Sequence, residues 1–339
     1  MSAKPIDIVI MWVNGADPEW LKEKSKYSED NASIDDSINR YRDWDNLQYI
    51  FRGIEQFMPW VRTVHFVTWG HVPSWMNTKH GKLNIVKHED FIPAEYLPTF
   101  SANPIELNLH RIKGLAERFI LFNDDMFVAR PMEPSRFFAS DGSPKEQVML
   151  ATLNSQKIDD VFSHILLNDN AVMNMEFNAK SIIAKNWRKL YSPRNGIYAA
   201  LKNFALTPFS LNLVQVLNTP HMPSPLLKTV MQEVWQKYPK EMDQTSKTKF
   251  RSMADINQYV FKQWQVWTGR SEPSNYKKYC SYVSRFPEDL SKLKGALNDE
   301  RCQLICINDS ELSGDFDAIK HQVNGLLDVR MPGKSGFER

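Results

Sequence analysis

The sequence predicts an α/β protein in which a mostly parallel sheet is flanked by helices. Three observations predict it. Short apolar runs alternate with helical stripes through the first half of the chain. The runs are apolar at successive positions, as strands covered on both faces are. They end in polar, turn-forming residues, where a parallel strand hands over to its crossover.

Taken in order, Ile6 to Val13 reads as the first strand, with Asn14-Gly15-Ala16-Asp17-Pro18 as the loop at its carboxyl end. Leu47, Ile50, Phe51, Ile54 and Phe57 recur at helical spacing and predict an amphipathic helix. Val64 to Thr68 and Leu83 to Val86 are further short strands, and Ile105, Leu109, Ile112 and Ala116 form one helical stripe. Phe119 to Phe122 is a buried strand ending abruptly in Asn123-Asp124-Asp125. Ligands bind beyond the carboxyl ends of such strands, so a Rossmann-like sheet places the Asn14-Gly15 loop and the Asn123-Asp125 turn at the site.

The second half is more helical. Leu227, Val230, Met231, Val234 and Tyr238 predict a helix opened by Ser224 as N-cap with Pro225 at its first position. Met253, Ile256, Val260, Phe261 and Trp264 predict another, opened by Ser252. Leu304 to Ile307 is a late strand expected to rejoin the sheet. Residues 192–197 and 268–278 are loop-like, and neither forms an interdomain linker. A single unit over residues 1–339 is therefore expected: an α/β half (1–150), a mainly helical insertion (151–300), and a strand and helix (301–339) returning to the sheet.

Lys and Arg number 42 against 40 Asp and Glu, a net charge of +2, which argues against a basic nucleic-acid-binding surface. Three cysteines are too few for a disulfide framework and complete no zinc spacing. The amino-terminal segment reads as a strand, not a signal peptide, and no apolar run approaches a bilayer span. A cytoplasmic protein is expected, with peripheral contact at the inner membrane face left open.

Two adjacent carboxylates, Asp124 and Asp125, at the end of a buried strand suit a divalent ion bridging to a diphosphate, and equally suit a plain strand-end turn. Glu106 and His110 are i, i+4 neighbours beside Arg111, which reads either as a solvated helix face or as a ligand-facing one. Arg40, Asp43 and Arg52 surround the start of the Leu47 helix, where Asp43 can favour the helix N-terminus and Arg52 can be a surface charge. His221 precedes the predicted Ser224 helix start, a suitable place for phosphate; it can take a hydroxyl proton, donate to a phosphate oxygen, or simply pack against Met222. Ser252 to Asp255 has the form of a capping box with Asp255 in place of Glu. Arg251 has no such structural reason, and a guanidinium suits a phosphoryl group. Phosphate-loop, dinucleotide-loop, nucleophile-elbow and His-Glu-x-x-His motifs are all missing.

Four blocks occur in sequence. The first is Ile6-Asp7-Ile8-Val9 through Trp12-Val13-Asn14-Gly15 and Asp17. The second runs from Arg40 and Asp43 through Arg52, Pro59-Trp60-Val61-Arg62, Pro73-Ser74-Trp75, Leu97-Pro98-Thr99-Phe100, Ile105-Glu106 and His110-Arg111-Ile112 to Asn123-Asp124-Asp125. The third is Pro220-His221-Met222-Pro223 with Met231-Gln232-Glu233, and the fourth is Arg251 to Asp255, followed by the tail Lys334-Ser335-Gly336-Phe337-Glu338. In order and spacing the chain resembles the Stealth family of hexose-1-phosphate transferases. That family includes bacterial capsule and exopolysaccharide phosphotransferases and the catalytic part of the animal lysosomal-enzyme N-acetylglucosamine-1-phosphotransferase. Gln48, Gly53 and Gly336 depart from its usual residues.

The resemblance implies a GT-A-like sheet, a UDP-sugar donor such as UDP-GlcNAc or another UDP-hexose, and Mg²⁺ or Mn²⁺. It implies transfer of hexose-1-phosphate to a hydroxyl of a lipid-linked glycan, with UMP released. In those terms Asp124 and Asp125, with Asn123, would hold the ion. Arg251 would stabilise the transferred phosphoryl group, and His221 would deprotonate the acceptor or contact phosphate. Trp12, Asn14, Gly15, Asp17, Arg40, Asp43 and Arg52 would shape the donor pocket, with Glu106, His110, Arg111 and Asp255 supporting it. A metal-dependent glycosyltransferase releasing UDP and a non-catalytic nucleotide-sugar or glycan-binding module are the alternatives.

Overall fold

The computed structural model describes residues 4–28, 42–155, 157–218 and 220–339, so Arg40 lies outside the described residues. In the first half the strands are β1 (Ile6–Met11), β2 (Val64–Thr68), β3 (Leu83–Lys87), β4 (Arg118–Phe122), β5 (Met126–Val128), β6 (Lys145–Glu146) and β7 (Leu150–Ala151). The second half adds β8 (Val216–Leu217), β9 (Ser224–Leu227), β10 (Glu272–Pro273), β11 (Cys280–Phe286) and β12 (Leu304–Leu312). Helices α1 (Pro18–Ser28), α2 (Leu47–Phe57) and α3 (Ala102–Asn108) belong to the first half; α4 (Val161–Glu176), α5 (Ala179–Leu190), α6 (Ile197–Leu206), α7 (Lys228–Lys237), α8 (Pro239–Ser246) and α9 (Tyr259–Trp267) follow, and α10 (Leu290–Asn298) and α11 (Phe316–Arg330) complete the chain.

The central sheet has five strands in the order β3-β2-β1-β4-β9. β1 pairs in parallel with β2 (Ile8 opposite Val64) and with β4 (Ile8 opposite Ile120), and β2 pairs in parallel with β3. Successive side chains of a strand point to opposite faces, and β1 shows it. Ile8 and Ile10 join a core with α2, α10 and α11, while Val9 joins a second core with α3, α7 and α9. Because β4 lies on the other side of β1 from β2, the order reverses between β1 and β4. The chain leaves the sheet side by side there, after Met11 and after Phe122, which is where such folds form a crevice.

Asp7 is fully buried in this apolar strand. Its carboxylate accepts from Arg62 Nε (2.8 Å), from the Ala116 backbone N–H (2.8 Å) and from His65 Nε2 (3.1 Å), while Asn84 donates to His65 Nδ1. Burial pushes the Asp7 pKa up, but the His65, Arg62 and Ala116 hydrogen bonds outweigh it and hold the carboxyl below its ordinary value. A depressed folded pKa contributes stability above the unfolded value of about 4 and loses it as pH falls through the folded one. Asp7→Ala is therefore expected to cost about 3 kcal/mol, since it strands two buried donors, His65 and Ala116 N, and unpairs the half-exposed Arg62. It should also flatten the fall of stability below about pH 4. Urea midpoints measured across pH 3–7 check both.

Three expectations for the second half change. Ser224 to Leu227 is not the start of a helix but β9, antiparallel to β4 with Leu121 opposite Ser224. A proline without an N–H is at home on an edge strand, and Gln265 covers that edge, accepting from Leu227 N and donating to Pro225 O. The helix begins at Lys228, where Glu117 supplies the cap through Thr229. Ser252 does not open a helix either: residues 252–255 form a turn and α9 begins at Tyr259. The late strand β12 does not rejoin the central sheet. It pairs in parallel with β11 and antiparallel with β5 in a separate three-stranded sheet, Cys306 opposite Met126.

The stripe from Ile105 to Ala116 is also broken, since α3 ends at Asn108 and a single 3₁₀ turn carries Leu109 to Arg111. A Cβ at residue 53 would lie 2.4 Å from Val128 O, so α2 rests on β5 because that residue is glycine. Among the described residues, no helix is long and apolar enough to cross a membrane.

Candidate active site

Beyond the carboxyl ends of β1 and β4 the structure gathers Asn123, Asp124, Asp125 and His221. Asp125 is the hub. Its Oδ2 accepts from His221 Nε2 at 2.9 Å, Asn308 Nδ2 at 2.9 Å and Cys306 Sγ at 3.3 Å. The separate sheet makes this possible: Ile307 N donates to Asp125 O at 2.8 Å, which carries β12 past the turn and sets Cys306 and Asn308 beside it. Burial opposes the charged form of Asp125, yet His221, Asn308 and Cys306 hold its pKa below the ordinary value. For His221, burial disfavours the imidazolium, but the charge and hydrogen bond of Asp125, with Glu106 and Asp124 behind it, raise the pKa. Since Asp125 accepts at Nε2, the proton of neutral His221 sits there and Nδ1 is the basic atom. Nδ1 has no hydrogen-bond partner among the described residues.

Asp124 opens to solvent on the same turn. The dense protein around it and the charge on Asp125 push its pKa up to about 7. Asp43, exposed and one turn before α2, adds to that push, which places its carboxylate within reach of the same field.

Oxygen ligands suit Mg²⁺ or Mn²⁺. Asn123 Oδ1 and Asp125 Oδ1 are buried without a partner among the described residues, and beside them stands an Asp124 carboxylate whose charge is disfavoured by its neighbours. This oxygen set fits a hard divalent cation. Asp125, His221 and Cys306 also bring one ligand atom each within 4.8 Å of one another. That trio does not fit one, because burial and the Asp125 charge keep the Cys306 thiol protonated, and it donates to the oxygen that His221 also uses.

A second layer of acids lies behind. Glu106 of α3 accepts from Gln258 N at 3.1 Å and Asp169 of α4 accepts from Asn257 N at 3.0 Å, so two carboxylates from other helices cap the start of α9. Glu106 is buried, not on a solvated face; burial pushes its pKa up to about 7 against the Gln258 bond and the charges of Arg251 and His221. Asp255 accepts from Ser252 N and Asn103 Nδ2 and feels the Arg251 charge. Arg251 itself is half-buried and has no ion-pair or hydrogen-bond partner among the described residues. A guanidinium left unpaired among carboxylates is available to an anionic ligand.

Other predicted residues have contacts of their own. Trp12 stacks on Phe66 (5.6 Å) with its edge to His71 (5.3 Å). Asn14 N donates to His71 Nε2 at 2.7 Å, Asn14 Oδ1 accepts from Ala16 N across the Gly15 turn, and Asp17 caps α1 through Glu19 N and Trp20 N. Arg52 does not face the site. It grips Glu338 with Nε and Nη2 at 2.9 Å each and donates to Met331 O and Asp328, fastening the Phe337-Glu338 tail to α2. His110 is buried against Trp235 with its pKa lowered to about 4 by burial and Arg111, and Arg111 lies over the same ring (4.7 Å). Neither touches Asp125 or His221. Asn308 and Asp169 escaped the sequence reading. Asn308 has no local signal, but Asp169 has one: it interrupts the apolar stripe Val161, Ile165, Leu166, Val172, Met173.

Compared with known proteins, the chain matches three conserved regions described for Stealth proteins: region 1 over residues 4–32, region 2 over 40–146 and region 3 over 220–261. It is 36% identical to the receptor polysaccharide phosphotransferase WefC of Streptococcus gordonii over 339 residues, 98% of each chain. To the capsular polysaccharide phosphotransferase WcwK of Streptococcus pneumoniae it is 36% identical over 337 residues, again 98% of each. The exopolysaccharide phosphotransferase cps2G of Lactiplantibacillus plantarum is 30% identical over 98% of this chain and 96% of its own. Among solved structures, galactosyltransferase LgtC in complex with donor and acceptor sugar analogues aligns over 95% of both chains at a TM-score of 0.41 and 8% identity, a likeness too distant to carry an argument.

Proposed function

We propose, from the premise that this chain belongs to the Stealth family and is a phosphotransferase, that it moves hexose-1-phosphate from a UDP-sugar to a hydroxyl of a lipid-linked glycan in capsule or exopolysaccharide synthesis. The oxygen of the acceptor attacks the phosphorus nearest the sugar, the bond to the bridging oxygen breaks, and UMP leaves. The observation that carries this reading is the His221–Asp125 pair at the crevice between β1 and β4. Asp125 fixes the ring with Nε2–H towards itself, so that Nδ1 faces outward to take the acceptor proton. Phosphoryl transfer needs positioning and neutralised charge more than covalent chemistry. Arg251 supplies charge to the transferred phosphoryl oxygens. Asp124, with the free oxygens of Asn123 and Asp125, would hold Mg²⁺ or Mn²⁺, which when bound neutralises the diphosphate and the departing UMP.

The nucleotide released from a panel of UDP-sugars, with Mg²⁺ or Mn²⁺ and a glycan acceptor, tests the proposal. UMP together with a new phosphodiester is expected; UDP would mean that the sugar moves alone, and the reading would fall. Arg251→Ala is expected to lower kcat by about 10²–10³-fold. Arg251→Lys should recover little of it, because a point charge does not replace the two-pronged donor. Full recovery by lysine would leave Arg251 only a general electrostatic part.

A further inference from the structure

Helix α6 is inside out. Ala199 and Asn203 are its buried residues, and Asn203 faces inward, where its side chain bonds to Leu150 N, Val148 O and Leu190 O. The opposite face carries Ile197, Tyr198, Leu201 and Phe204, and the following turn adds Phe209 and Leu213; all six are 61–75% exposed. At roughly 200 Å² per large apolar residue, they expose on the order of 800 Å², more than the largest patch of an ordinary monomer. A helix whose apolar stripe points to water while its polar residue is buried has a missing partner.

Charge identifies that partner. Between Glu176 and Glu233 the chain carries seven Lys and Arg and no Asp or Glu, in a protein whose net charge is only +2. Lys180, Lys185 and Arg188 stand exposed on α5, and none of them, nor Lys202 of α6, makes an ion pair among the described residues. Tyr191 at the end of α5 touches Phe204 (6.1 Å between rings), which joins the basic surface to the apolar face, and Trp187 lies half exposed beside Arg188. Apolar and aromatic side chains rimmed by unpaired cations are what a helix lying in an anionic lipid interface presents. A second copy of the chain would bring like charges together, which opposes self-association.

We propose that α6 and the turn after it, flanked by the basic face of α5, dock this enzyme on an anionic membrane surface. The inference goes beyond the transfer reaction and rests on none of it. Vesicle binding is read without donor or acceptor, so either claim can fail alone. In flotation of the full chain, binding to phosphatidylcholine vesicles containing phosphatidylglycerol is expected, with little binding to phosphatidylcholine alone and weakening by salt. The double variant L201E/F204E should bind about tenfold less or weaker still. K185E/R188E, on an exposed helix face where folding is not at stake, should also lose about tenfold. The proposal is overturned if the parent chain stays in solution, if both variants float like the parent, or if the parent is a dimer that F204E dissolves while vesicles capture neither.

Discussion

Replacing His221 with alanine is expected to lower kcat by about 10²–10⁴-fold while donor affinity stays near that of the parent chain. The prediction comes from division of labour within the ring: Nε2 is committed to Asp125, and Nδ1 has no partner among the described residues. Removing the ring takes away the proton acceptor without touching Asp124 or Arg251, so binding of a nucleotide-sugar, followed by calorimetry, should survive. A change in donor Kd at unchanged kcat would instead make His221 a phosphate ligand. The pH profile has a definite sign. The base works only when neutral, and its pKa lies above the ordinary histidine value of 6.5 because of Asp125. Activity should therefore fall as pH drops through a value higher than 6.5, and Asp125→Asn should move that limb to lower pH, since only Glu106 and Asp124 then oppose the effect of burial on the ring.

Asp124→Asn is expected to abolish metal-dependent turnover, at least about 100-fold, because a cation's contribution to a charged transition state is several kcal/mol. Its side chain is the one carboxylate of the turn not committed to a hydrogen bond with His221, Asn308 or Cys306. The amide keeps the shape and one oxygen but removes the charge, so loss of activity would report charge and not packing. Binding of Mn²⁺ in the presence of UDP, followed by calorimetry, gives a readout independent of turnover. Near-parental Mn²⁺ affinity and rate in this variant would remove Asp124 from the metal site.

Much of the sheet was legible because its signals are local. Apolar runs fixed β1 to β4 to within a residue or two, and the turn after Phe122 marked the crevice from sequence alone. Ser224-Pro225 and Ser252 misled because the same dipeptide chemistry serves a helix start, an edge strand or a turn, and only the neighbours decide. Those neighbours are β4 and Gln265 in one case and Asn103 in the other. Asn308 and Cys306 reach Asp125 across separations of 183 and 181 residues, so no window of sequence contains the partnership. Arg52 shows the converse. It sits in a matched region beside residues of the crevice, yet it serves the tail, where Glu338 is its counterpart.

That tail also sets an order of events during synthesis. Gly336 N bonds Glu55, the Phe337 carbonyl accepts from Asn77 N, the Phe337 ring packs on Phe51, and Glu338 closes on Arg52. The outer side of α2 is thus covered by residues translated nearly three hundred positions after it. While the ribosome is still making the helical half, Phe51 has Phe66 and Trp75 beside it but not the Phe337 ring. The nascent chain waits with the Phe337 side of that surface showing, so a nascent-chain chaperone should hold it until Glu338 emerges, and a stop placed before Gly336 should give protein that aggregates rather than one that merely works less well.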